Sequence, residues 1–296
     1  MARLNIYSRL GVPSEQTFDA PHKFVTSPFF KYPISLSSLR IIISVYTLVT
    51  LLVTLIWNAV RLHDAQSYFS YFTYLAYIGL CAYYIASSTQ TVAYALRWRR
   101  LGTGAGYPLQ RWPRMLQALH VVLHSSVVSF PILVTIVFWA LLSDSTTFES
   151  AFTTWSNLSV HAFNTAFALI EIFLTNSPPP PWLTLPITVL FLIGYMGVAY
   201  ITHDTQGFYT YSFLDPKKQG AKLAAYIIGI AVAQIIIFSV VRGLMVLRQR
   251  WAQRNDRVLP DVPGPQNGSG GRPTVNIEDD WEEVESPTTP KKVEHV

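Results

Sequence analysis

The 296-residue sequence has a single cysteine and few charges: 22 Lys or Arg and 17 Asp or Glu, 13% of the chain, about half the share found in soluble domains. One thiol, Cys81, excludes an intrachain disulfide and a thiolate metal cluster. Scarcity of charge excludes a large water-soluble fold, and the distribution of the charges says more. Segments 41–60, 65–96, 115–143, 150–170, 172–203 and 223–241 contain no Asp, Glu, Lys or Arg, and together they hold more than half the chain. At about 1.5 Å per residue, each can cross a hydrocarbon layer that needs about 20 mostly apolar residues. Alternating segments of about ten residues, the mark of a membrane β-barrel, do not occur. The first 34 residues lack a continuous apolar stretch, so no cleavable signal peptide is expected and the first membrane helix would serve for targeting. No basic stripe with interleaved aromatics accompanies the net charge of +5, so no nucleic-acid partner is expected.

What remains is an all-α polytopic membrane protein. The pattern predicts a six-transmembrane-helix bundle, with helices at about 39–60, 69–92, 119–142, 156–175, 182–202 and 223–246. The best-marked break is Ser177-Pro178-Pro179-Pro180-Pro181, because each proline removes an amide donor and clashes with the preceding turn. Pro131 and Pro186 are expected inside helices as kinks. Thirteen Lys and Arg fall near helix ends on one side (Lys23, Lys31, Arg40, five between Arg97 and Arg114, five between Arg242 and Arg257), against Arg61, Lys217, Lys218 and Lys222 on the other. The positive-inside rule then puts both termini in the cytosol; the membrane expected is the endoplasmic reticulum, within the endomembrane system, or the plasma membrane. This gives a cytosolic N-terminal segment 1–38, a membrane domain 39–247 and a tail 252–296. The tail is rich in Pro, Gly and Ser and carries an acidic run from Glu278 to Glu285, a composition of disordered segments, with Ser286-Pro287 and Thr289-Pro290 as candidate phosphorylation sites.

The chemistry concentrates in the second and fourth helices. Asn157, His161, Asn164, Ala168, Glu171 and Thr175 recur at spacings of 4, 3, 4, 3 and 4, which places them on one helix face. A carboxylate and an imidazole are costly inside a membrane, so this face must look into the bundle or a water-filled cavity; a plain interhelical glue stripe is the alternative. Thr73, Tyr77, Tyr84, Ser87 and Thr91 likewise share a face of the second helix. Both helices run inward from the outer side, so Thr73 and His161 would lie at similar depth and could meet as nucleophile and general base. Asn157 or Tyr77 would donate to the developing oxyanion. His203-Asp204 could line the mouth of the same cavity. His120 and His124, one turn apart on one helix, cannot ligate one haem from opposite faces; a haem-binding electron carrier is therefore carried only as an alternative, with no metal and no cofactor expected.

Trp155-Ser156-Asn157 followed by His161, Leu169-Ile170-Glu171, Gly194-Tyr195, His203 and the run Gly207-Phe208-Tyr209-Thr210-Tyr211-Ser212-Phe213-Leu214-Asp215 resembles the androgen-induced-gene and androgen-dependent TFPI-regulating protein family. The likeness covers about residues 66 to 247 and is greatest from 150 to 216. It implies six helices and a threonine hydrolase acting on fatty acid esters of hydroxy fatty acids. It also implies that Thr73, within Phe72-Thr73-Tyr74-Leu75, is the nucleophile, and His161, after Trp-x-Asn, the base. The chain departs from that pattern at Leu158 and Asp204, where the family often has His. It is also similar to the rolling-stone proteins, linked to cell fusion, which imply the other class of reading: a non-enzymatic membrane scaffold or signalling protein. Lipid ester and bilayer are the partners expected; the oligomeric state is left open.

Overall fold

The computed structural model describes residues 6–255. Six long helices make up most of it: α1 Pro33–Leu62, α2 Phe72–Leu101, α3 Arg114–Leu142, α4 Ala151–Leu174, α5 Thr184–Gln206 and α6 Lys222–Arg254. Among the described residues there is no strand. All of these helices except α2 are long and apolar enough to cross a membrane. In α2 the charge-free run is interrupted by Tyr, Ser, Thr and Gln, and these face inward: Tyr77, Tyr83, Tyr84, Ser87, Gln90, Thr91 and Tyr94 are all buried.

Helix ends follow local chemistry. Pro33 occupies the first turn of α1, where a missing N–H costs nothing. Ser150 caps α4 by accepting from Thr153 N, and Gly207 ends α5 in the left-handed region at φ 81°. The four prolines at 178–181 lie in extended chain between α4 and α5, as the sequence predicts. Pro131 marks a break in α3 at Val128–Ser129, also as predicted, whereas Pro186 sits in the first turn of α5 and need not kink it. Residues 252–254, expected in the tail, continue α6; the acidic run and the two Ser/Thr-Pro sites lie outside the described residues.

Helix α3 is the central element, with 61% of its apolar window buried against 17–39% for the other spans, and it touches α2, α4, α5 and α6. Its break is closed by side chains: Gln234 Nε2 on α6 donates to Ser129 Oγ at 3.0 Å and to Thr188 Oγ1 on α5 at 3.2 Å. One apolar core joins α1 to α4 through Ile43, Tyr77, Leu80, Tyr83, Val127 and Val160. A second joins α3, α4 and α6 through Leu133, Ile172, Ile237, Val241 and Met245.

The chain before α1 folds onto the ends of α2 and α3, with Val12, Phe18, Phe24 and Val25 packed around Tyr94, Tyr107 and Val121. Asp19, at φ 46°, pins this cap: its carboxylate accepts from Lys23 N and Phe24 N, each at 2.9 Å, and from Tyr107 OH at 2.7 Å. Burial outweighs these bonds and pushes the carboxyl up from 3.8 to about 6. A raised carboxyl means that the fold prefers the protonated acid. Its stabilising effect is complete below about pH 4 and lost as pH rises to about 6. Thermal unfolding in micelles should therefore show a midpoint that falls from pH 4 to pH 6 and then levels; Asp19→Asn should flatten that slope.

Candidate active site

The buried face of α4 is the one the spacing predicts: His161, Asn164, Ala168, Glu171 and Thr175 are all buried. Asn157 is not fully buried, and its amide donates to Thr147 O at 2.9 Å. The change of phase comes from a π turn over Ser159–Phe163, with His161 at its centre. Such turns recur at functional sites because they re-aim a side chain. Thr135 on α3 supports the turn by donating to His161 O at 2.6 Å, and it also approaches Asn164 Oδ1 at 3.1 Å. The His161 ring lies flat on Phe138, with centroids 3.5 Å apart and planes 5° apart. Its Nδ1 is buried without a hydrogen-bond partner. Thr135 was not anticipated from sequence, where it reads as one more polar residue in an apolar run.

Thr73 opens onto a cleft between α2, α3, α5, α6 and the loop after α5, with an empty volume of about 830 Å³. Phe138, the residue against which His161 stacks, lines the same cleft. The cleft wall contains no charged side chain, and Thr73 carries its only aliphatic hydroxyl; Tyr195 and Tyr211 supply the other two hydroxyls, and Leu, Val, Ile, Phe, Met and Ala complete it. Thr73 is the second residue of α2, after the uncapped Tyr71, so its N–H has no partner within the helix. The phenol of Tyr211 lies 3.4 Å from Thr73 N and 3.5 Å from Thr73 Oγ1. Thr73 lines the cleft and His161 does not: the imidazole reaches it only through its stack on Phe138, with no hydrogen bond between the two residues.

The other residues singled out in the sequence lie elsewhere. Tyr77 packs in the α1–α4 core and does not line the cleft. His203 stacks on Tyr209 at 3.8 Å and borders a separate hollow with Asp215, Lys217 and Lys218, not the mouth of the Thr73 cleft. His120 and His124 both pack against Phe24 and Tyr83.

Glu171 is committed to structure. Its Oε1 accepts from Arg40 Nη2 at 2.6 Å, Tyr83 OH at 2.6 Å and Ser177 Oγ at 2.7 Å. Arg40 also donates to Phe24 O and Thr91 Oγ1, both at 2.7 Å, which ties the N-terminal cap to α1, α2 and α4. Arg40, counted above among the charges flanking the membrane, is thus fully buried in the bundle. Arg248 on α6 adds bonds to Ile172 O and Ser177 O at the end of α4, where carbonyls lack helical partners.

The FAR-17a/AIG1-like protein model matches residues 28–247, from the last residues of the N-terminal cap through most of α6. The chain belongs to the FAR-17a/AIG1-like family. No curated protein and no solved structure matches it. For this FAR-17a/AIG1-like protein the matched region takes in the whole cleft, both of its expected chemical residues and the Arg40–Glu171 pair.

Proposed function

We propose that this FAR-17a/AIG1-like protein is an integral-membrane lipid ester hydrolase that spans the bilayer six times with both termini cytosolic. Thr73 is its nucleophile, His161 its general base, and fatty acid esters of hydroxy fatty acids its substrates. The observation that carries the reading is the placing of one aliphatic hydroxyl, at a helix N-terminus, on a mostly apolar cleft whose other hydroxyls are the phenols of Tyr195 and Tyr211. A ligand site of this kind is mostly apolar with a few placed polar groups.

The chain enters the cleft and brings its ester carbonyl to Thr73 Oγ1. His161 takes the hydroxyl proton as Thr73 Oγ1 bonds the carbonyl carbon, then returns it to the departing alcohol oxygen. Water, deprotonated by the same imidazole, next cleaves the acyl-threonine and releases the fatty acid. The unpaired Nδ1 of His161 suits a proton acceptor, and nucleophile–base contacts are commonly long until substrate is bound.

Labelling by a serine/threonine-directed fluorophosphonate tests the reading. Wild type should label and cleave ester, whereas Thr73→Ala and His161→Ala should each lower turnover by roughly 10⁴- to 10⁶-fold, the double variant being no worse than either alone. Undiminished labelling of folded Thr73→Ala would sink the proposal.

A further inference from the structure

A tetrahedral intermediate formed at Thr73 places a full negative charge on the former carbonyl oxygen. In a wall of Phe, Leu, Ile and Val such a charge is prohibitive unless fixed donors meet it. The expected donors are elsewhere: the Asn157 amide bonds Thr147 O, and Tyr77 is in the core. The donors on the cleft are few enough to take one by one. The hydroxyl of Tyr195 is engaged by Ser70 O at 3.1 Å and Thr210 Oγ1 at 3.0 Å. The hydroxyl of Thr73 becomes the ester oxygen. Of the donors left, the Tyr211 hydroxyl and the main-chain N–H of Thr73 are the two that meet at the nucleophile; the N–H of Phe72 is the other first-turn amide on the cleft.

We infer that the Thr73 N–H and the Tyr211 hydroxyl together form the oxyanion hole of the ester cleavage proposed above, which makes Tyr211 a catalytic residue. The inference rests on that hydrolase reading. The support is geometric first. The Thr73 N–H belongs to the first turn of α2, where amides point out of the helix and the helix dipole favours negative charge. The phenol oxygen lies within 3.5 Å of both the nucleophilic oxygen and that amide nitrogen, so an oxygen bonded to the attacked carbon falls between the two donors. A phenol that accepts from an amide keeps its own proton for a third group, and contacts of 3.4 to 3.5 Å are long enough to be exchanged for a shorter, charge-assisted bond to the oxyanion. Burial pushes the Tyr211 phenol up, which keeps it a neutral donor. Its ring is fixed by stacking on Phe213 at 5.2 Å and 8°. No atoms are added to the step already written: the carbonyl electron pair moves onto oxygen, is held by two hydrogen bonds, and returns to expel the alcohol.

The test uses the full-length chain in phospholipid micelles with a long-chain p-nitrophenyl ester. Tyr211→Phe keeps the ring and removes the hydroxyl. Expected is a loss in kcat of about 10²- to 10³-fold, a KM within about threefold and an unchanged unfolding midpoint. Tyr209→Phe, in the same loop but off the cleft, should stay within about twofold of wild type. Should Tyr211→Phe fold poorly, 3-fluorotyrosine at position 211 keeps the hydroxyl and makes it more acidic; kcat should then rise with KM unchanged. A folded Tyr211→Phe with kcat within threefold of wild type, a loss accounted for by the unfolded fraction, or a fluorotyrosine variant with unaltered kcat would overturn the oxyanion assignment while leaving Thr73 as nucleophile. Wild type that neither labels nor cleaves, or a Thr73→Ala variant as active as wild type, overturns the hydrolase reading and this inference with it.

Discussion

Glu171→Gln should cost about 3–5 kcal/mol of stability, as expected when one partner of a buried ion pair is removed. The amide matches the carboxylate in shape, so packing is kept and only charge is lost. Arg40 is fully buried and its guanidinium then has Phe24 O and Thr91 Oγ1 as neutral acceptors but no counterion. Tyr83 and Ser177 also lose a charged acceptor, each bond to which is shorter than 2.8 Å. Arg40→Met should destabilise to a similar degree by orphaning Glu171. The double variant Arg40→Met, Glu171→Gln should recover part of the loss, since replacing both charges removes the uncompensated one. Unfolding of all four proteins in mixed micelles gives the coupling energy. Additive losses would show that the two charges act independently, against the 2.6 Å contact.

On the proposed ester-hydrolase reading, Ala231→Trp should shorten the acyl chain that is accepted. Ala231 on α6 and Thr73 on α2 line the same cleft. If the acyl chain runs past Ala231, an indole there removes space from the chain and none from the ester. Each methylene denied burial costs about 0.8 kcal/mol, so excluding about four of them lowers kcat/KM for a hexadecanoyl ester by roughly 200-fold, with the butanoyl ester nearly unaffected. Equal loss on both chain lengths would mean that the chain lies elsewhere.

Much of the bundle is legible in the charge-free runs, because the exclusion of charge from hydrocarbon is severe and local. The helix ends are less so: Pro33 and Leu101 extend α1 and α2 well past the runs that identify them, since charged residues can lie within a helix once it leaves the apolar layer. The three-and-four spacing of α4 identified the buried positions from His161 to Thr175 and failed at Asn157, on the other side of the π turn, because a 3.6-residue period cannot anticipate an inserted residue. Glu171 stood out in the sequence for its cost, but its partner was hidden. Arg40 lies 131 residues away and reads as one more positive charge near a membrane boundary. Tyr211 belongs to an aromatic run that is evident in the sequence; its reach to Thr73 depends on the return of the loop after α5 over the start of α2, a tertiary relation that no local pattern encodes.

The Arg40–Glu171 pair also bears on how the chain is made. Translation delivers Arg40 with α1 and supplies Glu171 only when α4 follows. Until then α1 carries an unneutralised guanidinium, at a cost of about 2.5–3.5 kcal/mol on translocon scales when deep in the layer. The buried pair therefore cannot close until the fourth helix has been made, so seating of Arg40 is coupled to a carboxylate that is 131 residues downstream.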